Sequence, residues 1–278
     1  MNETTIKHIL VALDSSDVNQ GILQTATLMA NRLNAQLNAM FVEDINLLRL
    51  AELPFVREMV YGTAKGRQIN PVEMERALRA QTTRLRELVE TIAEQQNIKI
   101  KFDVLRGDIA PELCSASKQV DLLIVGKSAE TFRRSQKIGS VTKTILTSAS
   151  CSILILQNNA AIERPVAVLF TGSETSRKAL QFGFQLAQHD HNNLVVIFPA
   201  VAKGEYSRLQ KEVSKLTQDF DVTVPVVSLP VNSAESLLEV LADSGSRVLV
   251  LESRQEVLDE SQTQLLIEQN AVPVVLIS

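Results

Sequence analysis

The sequence contains no tryptophan, and aromatic residues make up only 4% of its 278 residues. A surface that stacks nucleic-acid bases needs aromatic side chains, so a base-stacking function is not expected. The net charge of −4 also argues against a general nucleic-acid binder, because such proteins present a basic surface. We therefore expect no nucleic-acid partner.

Long hydrophobic runs are absent and cysteines are few. No apolar stretch approaches the ~20 residues of a membrane-spanning helix. Residues 1–7 are polar and lack the layout of a signal peptide. The two cysteines, Cys114 and Cys151, form no disulfide framework and suit a reducing compartment as small buried residues. We predict a cytoplasmic protein that does not associate with membranes.

An internal repeat is the main positive feature of the sequence. Residues 9–42 align without a gap with residues 166–199, at an offset of 157 positions. The offset falls to 121 at the end of the chain, so the second copy is 36 residues shorter. The repeat predicts two domains of unequal length, residues 1–157 and residues 158–278.

Short apolar runs alternate with amphipathic segments in both copies. In the first copy, with Ser16 or Asp17 capping its first helix, this pattern predicts strands at residues 9–13, 36–42, 98–105, 122–125 and 152–156, and helices between them. Because right-handed crossovers place helices on both faces of a parallel sheet, we predict an α/β fold with two tandem doubly wound five-stranded parallel-sheet domains. Ligands of such sheets bind at the carboxyl ends of the strands.

A segment after the fourth strand has the composition of a phosphate-binding loop. Gly126 ends the strand, and Gly139 precedes a helix that begins with Ser140, Val141 and Thr142. The free amides and the dipole of a helix N-terminus favour a phosphate group. Four basic residues lie between the two glycines: Lys127, Arg133, Arg134 and Lys137. The alternative is a solvated basic loop that leads into an ordinary helix.

The whole arrangement resembles the universal stress protein family. Its nucleotide-binding members carry Gly, two residues, Gly, nine residues and then Gly-Ser or Gly-Thr after the fourth strand. Here Gly126, Ala129 and Gly139-Ser140 have that spacing, with alanine in place of the second glycine. The family's first strand ends in an Asp that contacts adenosine, as at Asp14, and its second strand supplies a Val whose backbone meets adenine, as at Val42.

The resemblance implies a tandem universal stress protein with the family's nucleotide-binding α-hydrolase-like sandwich fold. It implies a stress-response or regulatory role and binding of ATP, accompanied by Mg²⁺, or of another adenine nucleotide in the first domain. The implied binding residues are Asp14, Val42, Gly126, Lys127, Ala129, Arg133, Gly139, Ser140, Val141 and Thr142.

The second copy lacks the residues of this motif. Thr171 replaces Asp14, and Glu252 follows the strand that corresponds to the one ending at Gly126. Acidic residues at this position repel phosphates, so we expect a structural role for the second domain. In the family, fifth strands often pair across a dimer, so residues 152–156 and 272–277 are expected to pair within this one chain. A further homodimer is left open.

The second copy also lacks a counterpart of residues 43–70. This segment is rich in leucine, and Pro54 is expected to divide it into two short helical pieces. Three roles remain open for it: a core patch against the sheet, a lid over the nucleotide, or an apolar surface for an unknown protein partner.

Two other classes of function are considered. The first is a scaffold or sensor of the same fold that binds no nucleotide and instead binds a partner or an apolar ligand through residues 43–70. Ala129 and the altered second copy favour this class. The second is an enzyme, but no nucleophile motif identifies a catalytic residue, and at most weak ATP hydrolysis is expected. The sequence His189-Asp190-His191 is interpreted as a turn, and no metal site is predicted.

Overall fold

The computed structural model describes residues 6–16, 18–53, 57–59, 66–68, 70–127, 138–156, 162–163, 165–187, 193–217 and 224–278, with only the backbone at residues 57–59 and 66–68. The first half of the chain alternates strands and helices, as predicted. Its elements are β1 (His8–Leu13), α1 (Asn19–Leu33), β2 (Gln36–Asp44), α2 (Ile45–Ala51), β3 (Arg57–Met59), β4 (Gly66–Gln68), α3 (Pro71–Gln96), β5 (Ile100–Gly107), α4 (Ile109–Ala116), a 3₁₀ turn (Ser117–Gln119), β6 (Leu122–Gly126), α5 (Ser140–Ser148) and β7 (Ser152–Leu156).

The second half repeats this alternation with fewer residues. Its elements are β8 (Val166–Leu169), α6 (Glu174–Ala187), β9 (Leu194–Phe198), α7 (Lys203–Thr217), β10 (Val226–Ser228), α8 (Ala234–Asp243), β11 (Val248–Glu252), α9 (Glu260–Gln269) and β12 (Val274–Ile277).

Ten strands form one sheet that runs through both halves. The strand order is β10-β9-β8-β11-β12-β7-β6-β1-β2-β5. Neighbouring strands are parallel except at the central seam, where β7 and β12 pair antiparallel with Leu154 opposite Val275. The chain thus has a mixed α/β fold with a largely parallel sheet, and the predicted pairing of the two fifth strands is present.

The core consists of two apolar layers, one on each face of the sheet. Side chains alternate between the faces of a strand, so Ile153 and Leu154 enter different layers. Both layers contain residues from the first and the second half. Leu154 is fully buried and pairs with Ile124 of β6 and Val275 of β12, so it packs at the junction of the halves.

Local sequence explains where the long helix α3 begins and ends. The Asn70 side chain accepts a hydrogen bond from the Val72 N–H at 2.9 Å, and Pro71 occupies the first turn, where its missing N–H is not needed. Asn97 ends the helix in the left-handed conformation at φ 50°. Asparagine adopts this conformation more readily than most residues.

Two local predictions are wrong. Helix α1 begins at Asn19 with Val18 at its N-cap and no side-chain cap, while Ser16 hydrogen-bonds to Asp14 instead; Asp17 lies outside the described residues. The segment at residues 43–70 contains, among its described residues, one short helix, α2, rather than two. Its later part forms the antiparallel pair β3 and β4, and Pro54 lies outside the described residues.

In the described part of the chain, no helix is both long and apolar enough to cross a membrane.

The two cysteines are expected to differ in reactivity. Both are free thiols; Cys151 is buried and Cys114 is partly exposed. Burial raises the pKa of Cys114, and it raises the pKa of Cys151 from 9.0 to about 11. At pH 8 this lowers the thiolate fraction of Cys151 by about 100-fold, and the thiolate is the reactive form.

We therefore expect iodoacetamide at pH 8 to modify Cys114 first and to modify Cys151 only after denaturant is added. Peptide mass spectrometry over a time course checks this order. Equal rates for Cys151 in the folded and the denatured chain would contradict the burial of this thiol.

Candidate functional site

The order of the strands places a crevice at the carboxyl ends of β1 and β6. From β1 the chain proceeds outward to β2 and β5, and it then crosses back to β6 on the other side of β1. This reversal is the switch point of the first half, where doubly wound sheets bind ligands. Asp14 directly follows β1, and Gly126 is the last residue of β6.

A cavity of about 230 Å³ opens at this switch point. Five of the predicted binding residues line it: Asp14, Val42, Gly126, Val141 and Thr142. The remaining lining comes from the sheet and from helices α2 to α5: Ala12, Leu13, Ser15, Phe41, Asp44, Leu47, Leu78, Gln81, Ile109, Leu113, Val125 and Ile145. The cavity is therefore largely apolar, with a few polar groups that include the carboxylate of Asp14.

Hydrogen bonds fix the position of Asp14. The N–H of Ser16 donates to Asp14 Oδ1 at 2.8 Å, and the Ser16 hydroxyl donates to the same oxygen. Buried Asn19 holds the backbone of this turn, because its Nδ2 donates to the carbonyls of Asp14 at 2.7 Å and Ser16 at 2.8 Å. The carboxylate is thus held in place at the cavity.

The first turn of α5 also contributes to the cavity lining. Gly139 is the N-cap, with φ −63° and ψ 156°, and its carbonyl accepts the first helical hydrogen bond from Lys143. Thr142 is buried and its hydroxyl lies 3.4 Å from the carbonyl of Gly126, which joins the helix to the end of β6. Val141 and Thr142 line the cavity, whereas Gly139 and Ser140 lie outside its lining.

Lys127 lies elsewhere than predicted. Its ammonium donates to the carbonyls of Glu268 at 2.7 Å and Asn270 at 3.2 Å, at the C-terminus of α9 in the second half. Burial lowers the pKa of Lys127, and the nearby Glu268 opposes this shift. A cation at a helix C-terminus is favourable, so Lys127 stabilises the contact between the halves and does not line the cavity.

Three further predictions concern residues that the structure does not describe. Ala129 and Arg133, together with the other basic residues of 128–137, lie outside the described residues, and so does His189-Asp190-His191. In the described part of the chain, no group of three or more His, Cys, Asp or Glu residues is arranged to hold a metal ion.

An ion pair between buried Glu43 and exposed Arg106 lies beside the cavity and was not predicted from the sequence. Glu43 follows Val42 and is 7% exposed, and Arg106 donates to its Oε2 from Nε at 2.9 Å and from Nη2 at 2.7 Å. Thr82 of α3 donates to Glu43 Oε1 at 2.9 Å. Arg106 also donates to Glu75, and this bond is the main cause of the lowered pKa of the Glu75 carboxyl. The network ties α3 and β5 to the end of β2.

The helical part of the cavity lining was also not predicted. Leu78 and Gln81 come from α3, and Ile109 and Leu113 come from α4. Each pair is spaced at i,i+3 or i,i+4, which shows that the two residues share a helix face. The sequence contains this spacing, but it does not show which face lies over the switch point.

The corresponding position in the second half is filled by a side chain. Glu252 ends β11 as Gly126 ends β6, and it is 4% exposed. Thr171 Oγ1 donates to Glu252 Oε1 at 2.7 Å, and Ser173 Oγ donates to Oε2 at 2.6 Å. Thr171 corresponds to Asp14 in the repeat, so in the second half these hydrogen bonds join the turn after β8 to the end of β11.

Comparison with known proteins identifies the family. The model of the universal stress protein family matches residues 5–157, which is more than half of the chain. The chain belongs to the universal stress protein family. The resemblance found in the sequence is therefore confirmed.

Two relatives in the universal stress protein family match about half of the chain. A universal stress protein of Methanocaldococcus jannaschii is 24% identical over 157 residues, which cover 56% of this chain and 84% of the relative. A universal stress protein of Synechocystis is 26% identical over 156 residues, which cover 54% of this chain and 97% of the relative.

Two solved structures match both halves together. A universal stress protein from Archaeoglobus fulgidus has a TM-score of 0.73 at 15% identity, covering 99% of this chain and 97% of that one. A functionally unknown protein from Pseudomonas aeruginosa PAO1 has a TM-score of 0.63 at 12% identity, covering 99% and 93%. At these identities the likeness shows the fold alone.

Proposed function

We propose that the first half binds ATP or another adenine nucleotide in a regulatory or stress-response role. One observation carries the proposal: Asp14, Val42, Gly126 and Thr142 come from four separate parts of the sequence and line a single cavity at the switch point. A mainly apolar cavity with a few fixed polar groups is the usual form of a small-molecule site.

The chemistry of the lining suggests how a nucleotide lies in the cavity. Val42, Ile109 and Leu113 offer an apolar surface for the base. Asp14 offers a carboxylate to the ribose hydroxyls, and hydrogen bonds to an ionised acceptor are about twice as strong as neutral ones. The amides of the first turn of α5 offer donors to the phosphates.

The volume of the cavity limits how much of a nucleotide it can enclose, and so bears on the orientation of the nucleotide. At about 230 Å³ it is smaller than the ~300–1,000 Å³ of typical ligand pockets, so it encloses only part of a nucleotide. The base and ribose take the cavity in this proposal, and the phosphates extend past Gly126 toward α5. Mg²⁺ accompanies the triphosphate in this proposal.

The second half has a structural role in this proposal. Glu252 occupies the region equivalent to the cavity, and its charge opposes an anionic ligand there. We propose residues 1–157 as the nucleotide-binding domain and residues 158–278 as its partner domain, joined through the pairing of β7 and β12.

The proposal is tested by replacing the carboxylate that faces the ribose. Asp14→Asn keeps an acceptor for Ser16 but removes the charge, so ATP affinity is expected to fall by about 10-fold, which corresponds to ~1.4 kcal/mol. Equilibrium dialysis with Mg-ATP measures the affinity. Thr171→Ala, at the corresponding position of the second half, is the matched control and should leave the affinity unchanged. Equal affinity of Asp14→Asn and the wild-type chain would contradict the assigned role of Asp14.

A second candidate function is supported by the surface of α2. Leu47 and Leu50 of this helix, and Leu53 just after it, are 39%, 45% and 40% exposed. Exposed apolar clusters of this kind occur at protein interaction sites. This candidate is a scaffold or sensor that binds a partner through α2; an interaction that Leu50→Ser abolishes, in a chain that binds no ATP, would favour it.

A further inference from the structure

One polar group in the cavity has no hydrogen-bond partner. Gln81 of α3 lines the cavity, and its Nε2 is buried with no acceptor among the described residues. Buried donors are almost always paired, so an unpaired one requires an explanation. A ligand acceptor in the cavity supplies that explanation.

The position of Gln81 in the cavity follows from its neighbour. Thr82 donates to Glu43 at 2.9 Å, and Glu43 directly follows Val42 on β2. This part of α3 therefore lies over the end of β2. In the sheet, β1 separates β2 from β6, and adjacent strands are ~4.8 Å apart. Gln81 thus lies on the Val42 side of Asp14, away from the α5 terminus that faces the phosphates.

We propose that Gln81 recognises the base of the bound nucleotide, with its Nε2–H donating to a ring nitrogen of the purine. This inference rests on the proposed nucleotide binding and adds a base-contacting residue to it. The ring nitrogens of adenine are acceptors, and glutamine is a common partner of the adenine edge. The carboxamide of Gln81 therefore adds a polar side-chain contact with the base, while the apolar side chains of the lining pack against it.

The unpaired Nε2–H of Gln81 is expected to lower the stability of the nucleotide-free protein and to raise its affinity for ATP. In the absence of nucleotide, the unpaired amide destabilises the fold, because its lost hydration is not replaced. Gln81→Leu, a substitution of similar size, removes that unpaired group. The variant should therefore melt at the same or a higher temperature than the wild-type chain without nucleotide, yet bind ATP about 3- to 10-fold more weakly.

The contact with the base is tested with ATP analogues in which a C–H group replaces ring nitrogen 1, 3 or 7. Calorimetry is used to measure the affinity of each analogue for the wild-type chain and for Gln81→Leu. One analogue should bind the wild-type chain about 3- to 10-fold more weakly than ATP, and Gln81→Leu should bind that analogue and ATP equally well. Gln95→Leu, at an exposed position on the same helix, is the control and should behave as the wild-type chain does.

Each outcome decides the inference. If the wild-type chain binds ATP and Gln81→Leu binds it equally well, the inference is overturned and the proposed function stands. If the affinity of every analogue, relative to ATP, falls by the same factor in the wild-type chain and in Gln81→Leu, the amide does not contact a ring nitrogen and the inference is also overturned. If the wild-type chain binds no ATP, both the inference and the proposed function fail.

Discussion

Gly126→Glu is expected to abolish ATP binding, with a loss of more than about 100-fold in affinity. The new side chain would enter the cavity that Gly126 lines and would place a negative charge beside the phosphates. Like charges brought together at a binding site cost several kcal/mol, and about 2.7 kcal/mol corresponds to about 100-fold. The second half already shows a glutamate at this strand end, in Glu252.

The variant is expected to fold. A Cβ at Gly126 would lie 3.1 Å from Ile22 Cδ1, the tip of a side chain that can move by the few tenths of an ångström required. Adding Asp14→Thr to Gly126→Glu recreates the pairing of Thr171 with Glu252, which removes the repulsion between two carboxylates. The double variant should regain stability but not ATP binding.

Gly204→Glu is the matched control for charge. Gly204 lies in α7, and a Cβ at this position would have no other atom within 4 Å, so the substitution adds the same charge far from the cavity. It should bind ATP as the wild-type chain does. A loss of affinity in Gly204→Glu equal to that in Gly126→Glu would assign the effect to net charge and contradict the location of the site.

Leu154→Ala is expected to lower the free energy of unfolding by about 2–5 kcal/mol, the range for leucine truncation in a packed core. Leu154 has no exposed surface and pairs with strands from both halves. Because its core layer contains residues of both halves, the loss should reach beyond the strand that carries it. Urea denaturation measures the change.

Hydrogen exchange shows how far the effect of Leu154→Ala extends. Amide protection should fall in β6 of the first half and in β11 of the second. The control is Leu28→Ala on α1, where the side chain is 47% exposed and the expected change is within about 0.5 kcal/mol. Loss of protection confined to the first half would show that the two halves unfold independently.

The sequence predicted the architecture well because the strands are continuous apolar runs. The strand predicted at residues 152–156 is β7 with the same bounds, and the capping Asn70 and Pro71 mark the start of α3 in the sequence. Such signals are local: a strand buried on both faces needs apolar residues throughout, and a helix start needs a capping side chain. The pairing of the two fifth strands was expected from the resemblance to the family rather than from a local signal, and its antiparallel direction is a finding of the structure.

Several side-chain contacts between distant segments were not predicted from the sequence. Lys127 was assigned to the phosphates from its position beside Gly126, but its long side chain reaches α9 in the second half. Glu43 and Arg106 form an ion pair although they are 63 residues apart in the sequence. Gln81 is one of many polar residues on α3, so the sequence does not distinguish it as a residue of the cavity. Which face of a helix covers the sheet depends on packing over the whole chain, and no short pattern encodes it.

Calorimetric titration of Mg-ATP into the 278-residue chain, with Gly126→Glu titrated in parallel, tests whether the switch-point cavity is a nucleotide site. Saturable binding at one site per chain, lost in Gly126→Glu and retained in Gly204→Glu, is the expected result. Absence of heat and of any thermal shift at millimolar ATP in the wild-type chain would contradict nucleotide binding. Binding that survives Gly126→Glu would place the nucleotide elsewhere on the protein.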